Sequence, residues 1–319
     1  MTPTLFIRTQ ELVYASGQSG SRLFPFGPPP NPGVLRDLVY CMASSSEFSL
    51  LFIGDVVGRS GRDAVAAHLP GLIAAHAPEL VILNGENSAH GFGITPAICR
   101  QFFDLGVDVI STGNHVWDQK EILGFIDSEP RLLRPLNYPK STPGHGAYLA
   151  AGRTGKRVLV ANLMLRLFMD AMDDPFASID KILAQAPLGG AVDAIFVDVH
   201  GEATSEKMAM GHHLDGRVSA VVGTHTHVPT ADHHLLAGGT AYQSDAGMTG
   251  DYRSVIGMKA EPALYRFTRK LPSERLTPAE GEGTLCGCLI RVGGDGKALA
   301  IEPVRLGGAL AAAQPASAA

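Results

Sequence analysis

The chain has 319 residues and a net charge of −5 at neutral pH, and 45% of its residues are hydrophobic while 18% are charged. This apolar fraction excludes a chain that is disordered throughout. No apolar run approaches the roughly 18–20 residues that a transmembrane helix needs, which excludes a membrane protein. The N-terminus lacks the pattern of an export signal, so we expect a cytoplasmic protein. A mildly acidic chain does not attract nucleic acid in general, and an anionic substrate therefore requires a local source of positive charge.

The two ends of the chain differ in composition from its middle. Residues 1–47 contain the Pro-rich run PFGPPPNPG and a run of serines, and the last residues are rich in Ala. We predict that residues 1–47 are disordered or absent from the natural protein, that residues 48–307 form one domain, and that residues 308–319 are a flexible tail. Met42, just before the first apolar strand, is the hypothesised natural start of translation.

Apolar strands and helices alternate along the middle of the chain. Strands are predicted at residues 50–54, 80–83, 107–111, 157–162, 192–199 and 218–223, and helices at 62–75, 96–105 and 120–126. The last third predicts shorter strands at 240–243, 263–267, 285–292 and 298–305, which we expect to join a second sheet in antiparallel fashion. Continuous apolar strands bounded by helices indicate an α/β domain whose sheet is covered on both faces.

Polar side chains follow the carboxyl ends of five successive strands. They are Asp55, then Glu86 and Asn87, then Asn114 and His115, then His200, and finally His225 and His227. Ligands of such sheets bind in the crevice beyond the carboxyl ends of the strands. We therefore expect these side chains to converge on one site, although they are widely separated in the sequence.

The residue types at this site indicate divalent metal ions. Carboxylates, carboxamides and imidazoles supply oxygen and nitrogen ligands without thiolates, a mixture that suits Mn, Fe or Zn. The set is too large for one tetrahedral ion, whereas two ions roughly 3.5–4 Å apart with a bridging carboxylate accommodate it. Such a pair brings the pKa of bound water to about 7 and binds phosphate oxygens, which is the chemistry of phosphoester hydrolysis.

The ordered blocks GD, GEN, GNH, H and GTHTH resemble those of the calcineurin-like metallophosphoesterases. Two positions depart from the common pattern of that superfamily, because Val57 replaces a histidine and Glu86 replaces an aspartate. Together with NGENSAHGFGIT, STGNHVWD, RPLNYP, HGEATSEKMAMG and GTHTHVPTAD, the sequence is similar to the bacterial YmdB-type branch over about residues 50–258. This resemblance implies a four-layer α/β/β/α sandwich of two mixed sheets.

The resemblance also implies a role for each candidate residue. Asp55 and His227 bind one ion, Asn114, His200 and His225 bind the other, and Glu86 bridges both. Asn87 is a further metal ligand or a substrate contact that compensates for the missing histidine. His115 contacts the substrate as the general acid that protonates the leaving alkoxide, and a hydroxide between the ions is the nucleophile. Fe or Mn are the expected ions, with Zn or Mg as alternatives. Asp118, Glu202 and Thr204 are candidates for orienting the imidazoles.

The expected activity is hydrolysis of 2′,3′-cyclic nucleotides to 3′-monophosphates, with a small-molecule nucleotide as substrate and no membrane or stable nucleic-acid partner. Two alternatives stay open. One is a phosphomonoesterase or protein phosphatase, because the same pair of ions serves those reactions. The other is a metal-containing regulatory protein that binds a nucleotide with little turnover, since the branch is associated with regulation. A homo-oligomer is compatible with all three.

Overall fold

The computed structural model describes residues 5–8, 11–14, 47–272 and 274–316. Its strands are β1 (Leu5–Arg8), β2 (Glu11–Tyr14), β3 (Phe48–Ile53), β4 (Leu80–Asn84), β5 (Val109–Ser111), β6 (Ala147–Ala151), β7 (Arg157–Met164), β8 (Ala194–His200), β9 (Ala220–Thr224), β10 (His234–Leu235), β11 (Ala241–Gln243), β12 (Leu285–Val292) and β13 (Ala298–Leu306). Its helices are α1 (Gly58–His76), α2 (Pro96–Asp104), α3 (Pro175–Gln185), α4 (Thr204–Leu214) and α5 (Ala260–Arg269), with a 3-10 helix at Lys120–Gly124.

The strands form two mixed sheets. The five-stranded sheet has the order β13-β12-β3-β4-β5, in which β3, β4 and β5 are parallel and β12 is antiparallel to both of its neighbours. The eight-stranded sheet has the order β10-β11-β9-β8-β7-β6-β1-β2, in which β7, β8, β9 and β11 are parallel. The parallel strands of each sheet therefore end at a common edge.

Alternating side chains of each central strand face two different layers. Leu51 of β3 packs in the core that includes apolar residues of α1 and α2, whereas Phe52 packs between the two sheets. In the same way, Val197 of β8 packs against α3 and α4, and Phe196 faces the other sheet. The rings of Phe52 and Phe196 meet with their centroids 4.9 Å apart. The order of layers is helix, sheet, sheet, helix, which confirms the predicted sandwich.

Two expectations for the last third of the chain are wrong. Residues 263–267 lie within α5 rather than in a strand. Pro262 occupies the first turn of this helix, where its missing N–H needs no partner. In addition, β11 pairs parallel to β9 rather than antiparallel. The predicted antiparallel arrangement holds for β12 and β13, which join the sheet of β3.

The ends of the chain are described only in part. Most of the predicted N-terminal extension lies outside the described residues, as does its Met42; the backbone of β1 and β2 forms a pair that joins β6 at the edge of the eight-stranded sheet. In the predicted C-terminal tail, Ala313 pairs with Arg305 of β13. The limits of the domain stay a prediction. Among the described residues, none of the helices has both the length and the apolar character that crossing a bilayer requires.

Candidate metal centre

The strand faces that pack between the two sheets end in buried polar residues. On β4, Ile82 faces the opposite sheet and Asn84 follows on the same face. On β8, Phe196 is followed on that face by Asp198 and His200. Because side chains of a strand alternate with period two, the apolar layer between the sheets becomes polar at the carboxyl ends of the strands. Asn84, Asp198 and His200 are all completely buried there.

A hydrogen-bond network around Asp198 orients the ring of His200. The Asp198 carboxylate accepts hydrogen bonds from the Asn84 amide at 3.0 Å, from the Ser111 hydroxyl, and from the Thr224 hydroxyl at 2.7 Å. Since Thr224 donates its only hydroxyl proton to Asp198, its oxygen accepts from Nδ1 of His200, which lies 2.9 Å away. This assigns the ring proton of neutral His200 to Nδ1 and leaves a lone pair on Nε2.

Three electron-rich atoms surround that nitrogen. Nε2 of His200 lies 3.2 Å from Oε1 of Glu86, 2.9 Å from Oδ1 of Asn114 and 3.1 Å from Nδ1 of His225. The other nitrogen of His225, Nε2, lies 3.4 Å from the Glu202 carboxylate, which favours a proton on that side and a lone pair on Nδ1. In the neutral form of His200 that binds metal, these lone pairs face one another and repel, and a cation between them reverses that repulsion; without metal, a proton on Nε2 takes that place.

A second donor group adjoins the first. Asp55, Glu86 and His227 each offer one ligand atom, and these atoms lie within 4.8 Å of one another. His227 donates from Nδ1 to the carbonyl of Ile256 at 2.8 Å, which leaves the lone pair on Nε2. Asn87 donates from its amide to Glu86 at 3.0 Å and lies 3.1 Å from Nε2 of His227. One oxygen of Asp55, Oδ1, is buried without a hydrogen-bond partner among the described residues.

Glu86 belongs to both groups, because it also lies within 4.8 Å of His200 and His225. Burial raises the pKa of Asp55 to about 7. Burial and, as a smaller cause, the charge of the neighbouring His200 lower the pKa of His225 to about 3. Burial opposes the charge on Glu86 and His200 too, but their mutual attraction prevails: the pKa of Glu86 falls to about 2 and that of His200 rises to about 9. The unpartnered oxygen of Asp55 and the convergence of carboxylate, carboxamide and imidazole ligand atoms show that the donor set fits divalent cations once His200 loses its extra proton.

The backbone near these groups adopts unusual conformations. His225 and His227 have φ angles of 100° and 67°, in the left-handed region that residues with a Cβ rarely occupy. At Gly113, a Cβ would overlap the carboxylate of Glu86 and the ring of His200, so only glycine fits. Strained residues of this kind cluster at functional sites.

His115 lies beside the donor groups rather than within them. Its backbone N–H donates to Oε2 of Glu86 at 3.3 Å, and its Nδ1 lies 2.9 Å from the Asp118 carboxylate. The edge of its ring meets Phe92 at a centroid distance of 5.1 Å. With 30% of its side chain exposed, His115 remains accessible to a bound substrate.

The structure brings all the sequence-predicted site residues together: Asp55, Glu86, Asn87, Asn114, His115, His200, His225 and His227. Of the supporting candidates, Asp118 and Glu202 contact site histidines, whereas Thr204 begins α4. Sequence reasoning missed Asn84, Asp198 and Thr224, whose signal is the period-two continuation of the apolar strand faces. It also missed the ion pair of Lys207 and Asp245 behind His225, for which the sequence carries no local signal.

Comparison with known proteins identifies the family to which this chain belongs. The family model described as YmdB-like protein matches residues 51–304. The chain belongs to the YmdB-like family. A relative of this YmdB-like chain is the 2′,3′-cyclic-nucleotide 2′-phosphodiesterase of Bacillus subtilis (strain 168), 50% identical over 244 residues, which are 76% of this chain and 90% of the relative. A putative phosphatase/phosphodiesterase of Mycoplasma pneumoniae is 35% identical over 71% of this chain and 80% of its own length.

Solved structures agree with the YmdB-like assignment. A hypothetical protein from Thermus thermophilus superposes with a TM-score of 0.76 and 44% identity, covering 82% of this chain and 100% of the other. A phosphatase from Mycoplasma pneumoniae gives a TM-score of 0.75 with 31% identity, covering 82% and 94%. The resemblance to YmdB-type metallophosphoesterases is confirmed, as is the expectation of a phosphoric diester hydrolase. Family membership implies divalent metals.

Proposed function

We propose that this YmdB-like protein is a dinuclear metal-dependent phosphodiesterase that hydrolyses 2′,3′-cyclic nucleotides to 3′-monophosphates in the cytoplasm. The observation that carries the proposal is the pair of donor groups that share the buried Glu86. A shared carboxylate is the arrangement that a two-metal site requires. The activity by which the Bacillus subtilis relative is named supports the choice of substrate.

The proposed ligands follow from the two groups. Asp55, Glu86 and His227 would hold one ion, and Glu86, Asn114, His200 and His225 would hold the other. When bound, two divalent ions neutralise phosphate charge and make water a nucleophile near neutral pH. Fe or Mn are the ions we propose, with Zn or Mg as alternatives; oxygen and imidazole ligands without thiolates are compatible with Mn, Fe or Zn.

Asn87 and His115 act on the substrate itself. The Asn87 amide lies between Glu86 and His227, and when those two side chains bind metal its N–H groups become free to donate to a phosphate oxygen. His115 protonates the 2′-oxygen as its bond to phosphorus breaks, which yields a free 2′-hydroxyl and a 3′-monophosphate. Asp118 accepts from Nδ1 and stabilises the charged imidazole before that transfer.

A substrate panel tests this proposal. Metal-loaded protein is incubated with 2′,3′-cyclic AMP, 3′,5′-cyclic AMP, p-nitrophenyl phosphate and a phosphopeptide, and the products are separated by chromatography. We expect 3′-AMP from the 2′,3′-cyclic substrate. Phosphate release from the monoesters alone would instead establish the phosphomonoesterase, an alternative that the name phosphatase of the Mycoplasma pneumoniae protein supports. Tight nucleotide binding without product under single-turnover conditions would establish the regulatory protein.

The His115→Ala variant tests the proposed mechanism. We expect it to retain its metal ions while kcat falls by about 10²–10⁴. The exposed His212 of α4 supplies a matched control, because His212→Ala removes an imidazole outside the site. An unchanged kcat of His115→Ala on a cyclic nucleotide would remove His115 from the mechanism.

A further inference from the structure

A buried ion pair lies directly behind the turn that carries His225 and His227. Nζ of Lys207, on α4, is 2.9 Å from Oδ2 of Asp245, and the two side chains are only 2% and 1% exposed. The proposed function gives neither residue a role. Desolvating two charges costs about as much free energy as their attraction returns, so fold stability alone is a weak reason for such a pair.

The pair is bonded to the residues on both sides of His225. Nζ of Lys207 also donates to the carbonyl oxygen of Thr224 at 2.7 Å. Oδ2 of Asp245 accepts from the backbone N–H of Thr226 at 3.0 Å and from its hydroxyl at 2.8 Å. The residues before and after His225, Thr224 and Thr226, are therefore both hydrogen-bonded to the same ion pair.

The conformation held in this way is one that the backbone does not favour. His225 and His227 both have positive φ angles, of 100° and 67°. Without tertiary contacts, residues with a Cβ leave this region for extended or right-handed conformations. Either change would swing the two imidazoles away from their donor groups, since His225 Nδ1 faces His200 and His227 Nε2 faces Asn87 only in the present arrangement.

We propose that Lys207 and Asp245 are positioning residues that hold the 224–227 turn so that its two imidazoles serve the two donor groups. The inference rests on the proposed function, because it takes those groups to be a metal centre. Neither residue touches the substrate or an ion. Their effect is on the affinity for metal, through the placement of His225 and His227.

Glu79 provides a control that separates the general effect of altering a buried carboxylate from the proposed effect on the 224–227 turn. Its carboxylate is 3% exposed and accepts from Thr154 N at 2.7 Å, from Thr154 Oγ1 at 2.9 Å and from Lys156 N at 3.3 Å. Like Asp245, Glu79 accepts from the backbone N–H and the hydroxyl of one threonine, but the backbone N–H of Lys156 stands in place of the Lys207 ammonium. Glu79 precedes β4, at the opposite end of the strand from the site. Any loss that comes from disturbing a buried carboxylate appears in both Asp245→Asn and Glu79→Gln.

The experiment is a Co²⁺ titration of metal-free wild type, Asp245→Asn, Lys207→Met and Glu79→Gln, followed by visible absorption and calorimetry, with Tm recorded for each. We expect Asp245→Asn and Lys207→Met to bind Co²⁺ about tenfold or more weakly, the range found when residues that orient metal ligands are removed. Glu79→Gln should lower Tm and bind Co²⁺ as wild type does. Wild-type affinity in Asp245→Asn, or an equal loss in Glu79→Gln, would overturn the inference.

Two further measurements cover the remaining outcomes. If both charge variants fail to fold, the experiment uses Thr226→Val, which removes only the hydroxyl donor to Asp245. This variant should bind Co²⁺ more weakly. It should also shift the imidazole signals of His225 and His227 in long-range ¹H–¹⁵N spectra of the metal-free protein. Unchanged signals and affinity in Thr226→Val would then count against the inference. If wild type itself binds no metal, the proposed function fails; if wild type and Asp245→Asn bind alike, this inference alone fails.

Discussion

Nε2 of His200 lies 3.2 Å from Oε1 of Glu86, and both side chains are excluded from solvent. Burial opposes charge on each, yet the attraction between them raises the pKa of His200 to about 9 and lowers that of Glu86 to about 2. Without metal, the two therefore form a buried imidazolium–carboxylate pair at neutral pH. A metal ligand must be deprotonated, so metal binding has to displace the imidazole proton.

We expect metal uptake to release protons and to tighten as pH rises from about 7 to about 9. The sign follows from the raised pKa of His200: below about pH 9 its proton competes with the metal, and above that value the competition ends. Calorimetric titration at pH 7.5 in buffers of different ionisation enthalpy measures the proton count. A binding enthalpy that is independent of the buffer would contradict the pairing of His200 with Glu86.

Glu86 should control both ions, whereas residues of a single group should control one. Glu86→Gln weakens both donor groups, while Asp55→Asn leaves the group of His200 and His225, and His225→Ala leaves the group of Asp55 and His227. Metal analysis after dialysis should give about one ion per chain for the last two variants and about none for Glu86→Gln. Activity should be lost in all three. Two retained ions in Glu86→Gln would refute the shared carboxylate.

Gly113 should be irreplaceable even by alanine. A methyl group there overlaps the carboxylate of Glu86 and the ring of His200, so Gly113→Ala should abolish metal binding and activity. Gly71, inside α1, has nothing within 4 Å of an added Cβ and serves as the control. Gly71→Ala should raise the free energy of unfolding by about 1 kcal/mol and leave activity unchanged. Denaturant unfolding and metal analysis of both variants check this pair of outcomes.

Asp118 should act only through His115. Its carboxylate lies 2.9 Å from Nδ1 of that ring, so Asp118→Asn should keep the metal ions and lower kcat by less than the 10²–10⁴ expected for His115→Ala. In the double variant, the Asp118 substitution should add nothing further. Additive losses in this double-mutant cycle would show that Asp118 has a separate function.

The candidate ligands can be predicted from the sequence more readily than the residues that hold them in position. Asp55, Glu86 and His200 can be predicted because each stands at the carboxyl end of an apolar strand, and parallel strands bring these ends together. Lys207 and Asp245 cannot be predicted in this way, since they are separated by 38 positions and meet only after α4 packs on the sheet. The left-handed backbone of His225 was equally hidden, because no glycine marks it.

The same distinction holds for the fold. Strands such as β3 and β8 are long buried apolar runs and were placed to within a few residues. By contrast, α5 buries only Ala263 among its residues, so its short apolar sequence carried too little pattern to separate helix from strand. The parallel pairing of β11 with β9 depends on contacts distant in sequence, which local patterns do not encode.

The donors come from both sheets. Asp55, Glu86 and Asn114 follow β3, β4 and β5, whereas His200 ends β8 and the two remaining histidines follow β9. The core between the sheets is apolar, as in the contact of Phe52 with Phe196. On the proposed ligand assignment, each ion would be bound by residues of both sheets and would cross-link the two sheets. Metal loading would then set how firmly the two halves of the sandwich are joined, as well as whether the chemistry proceeds.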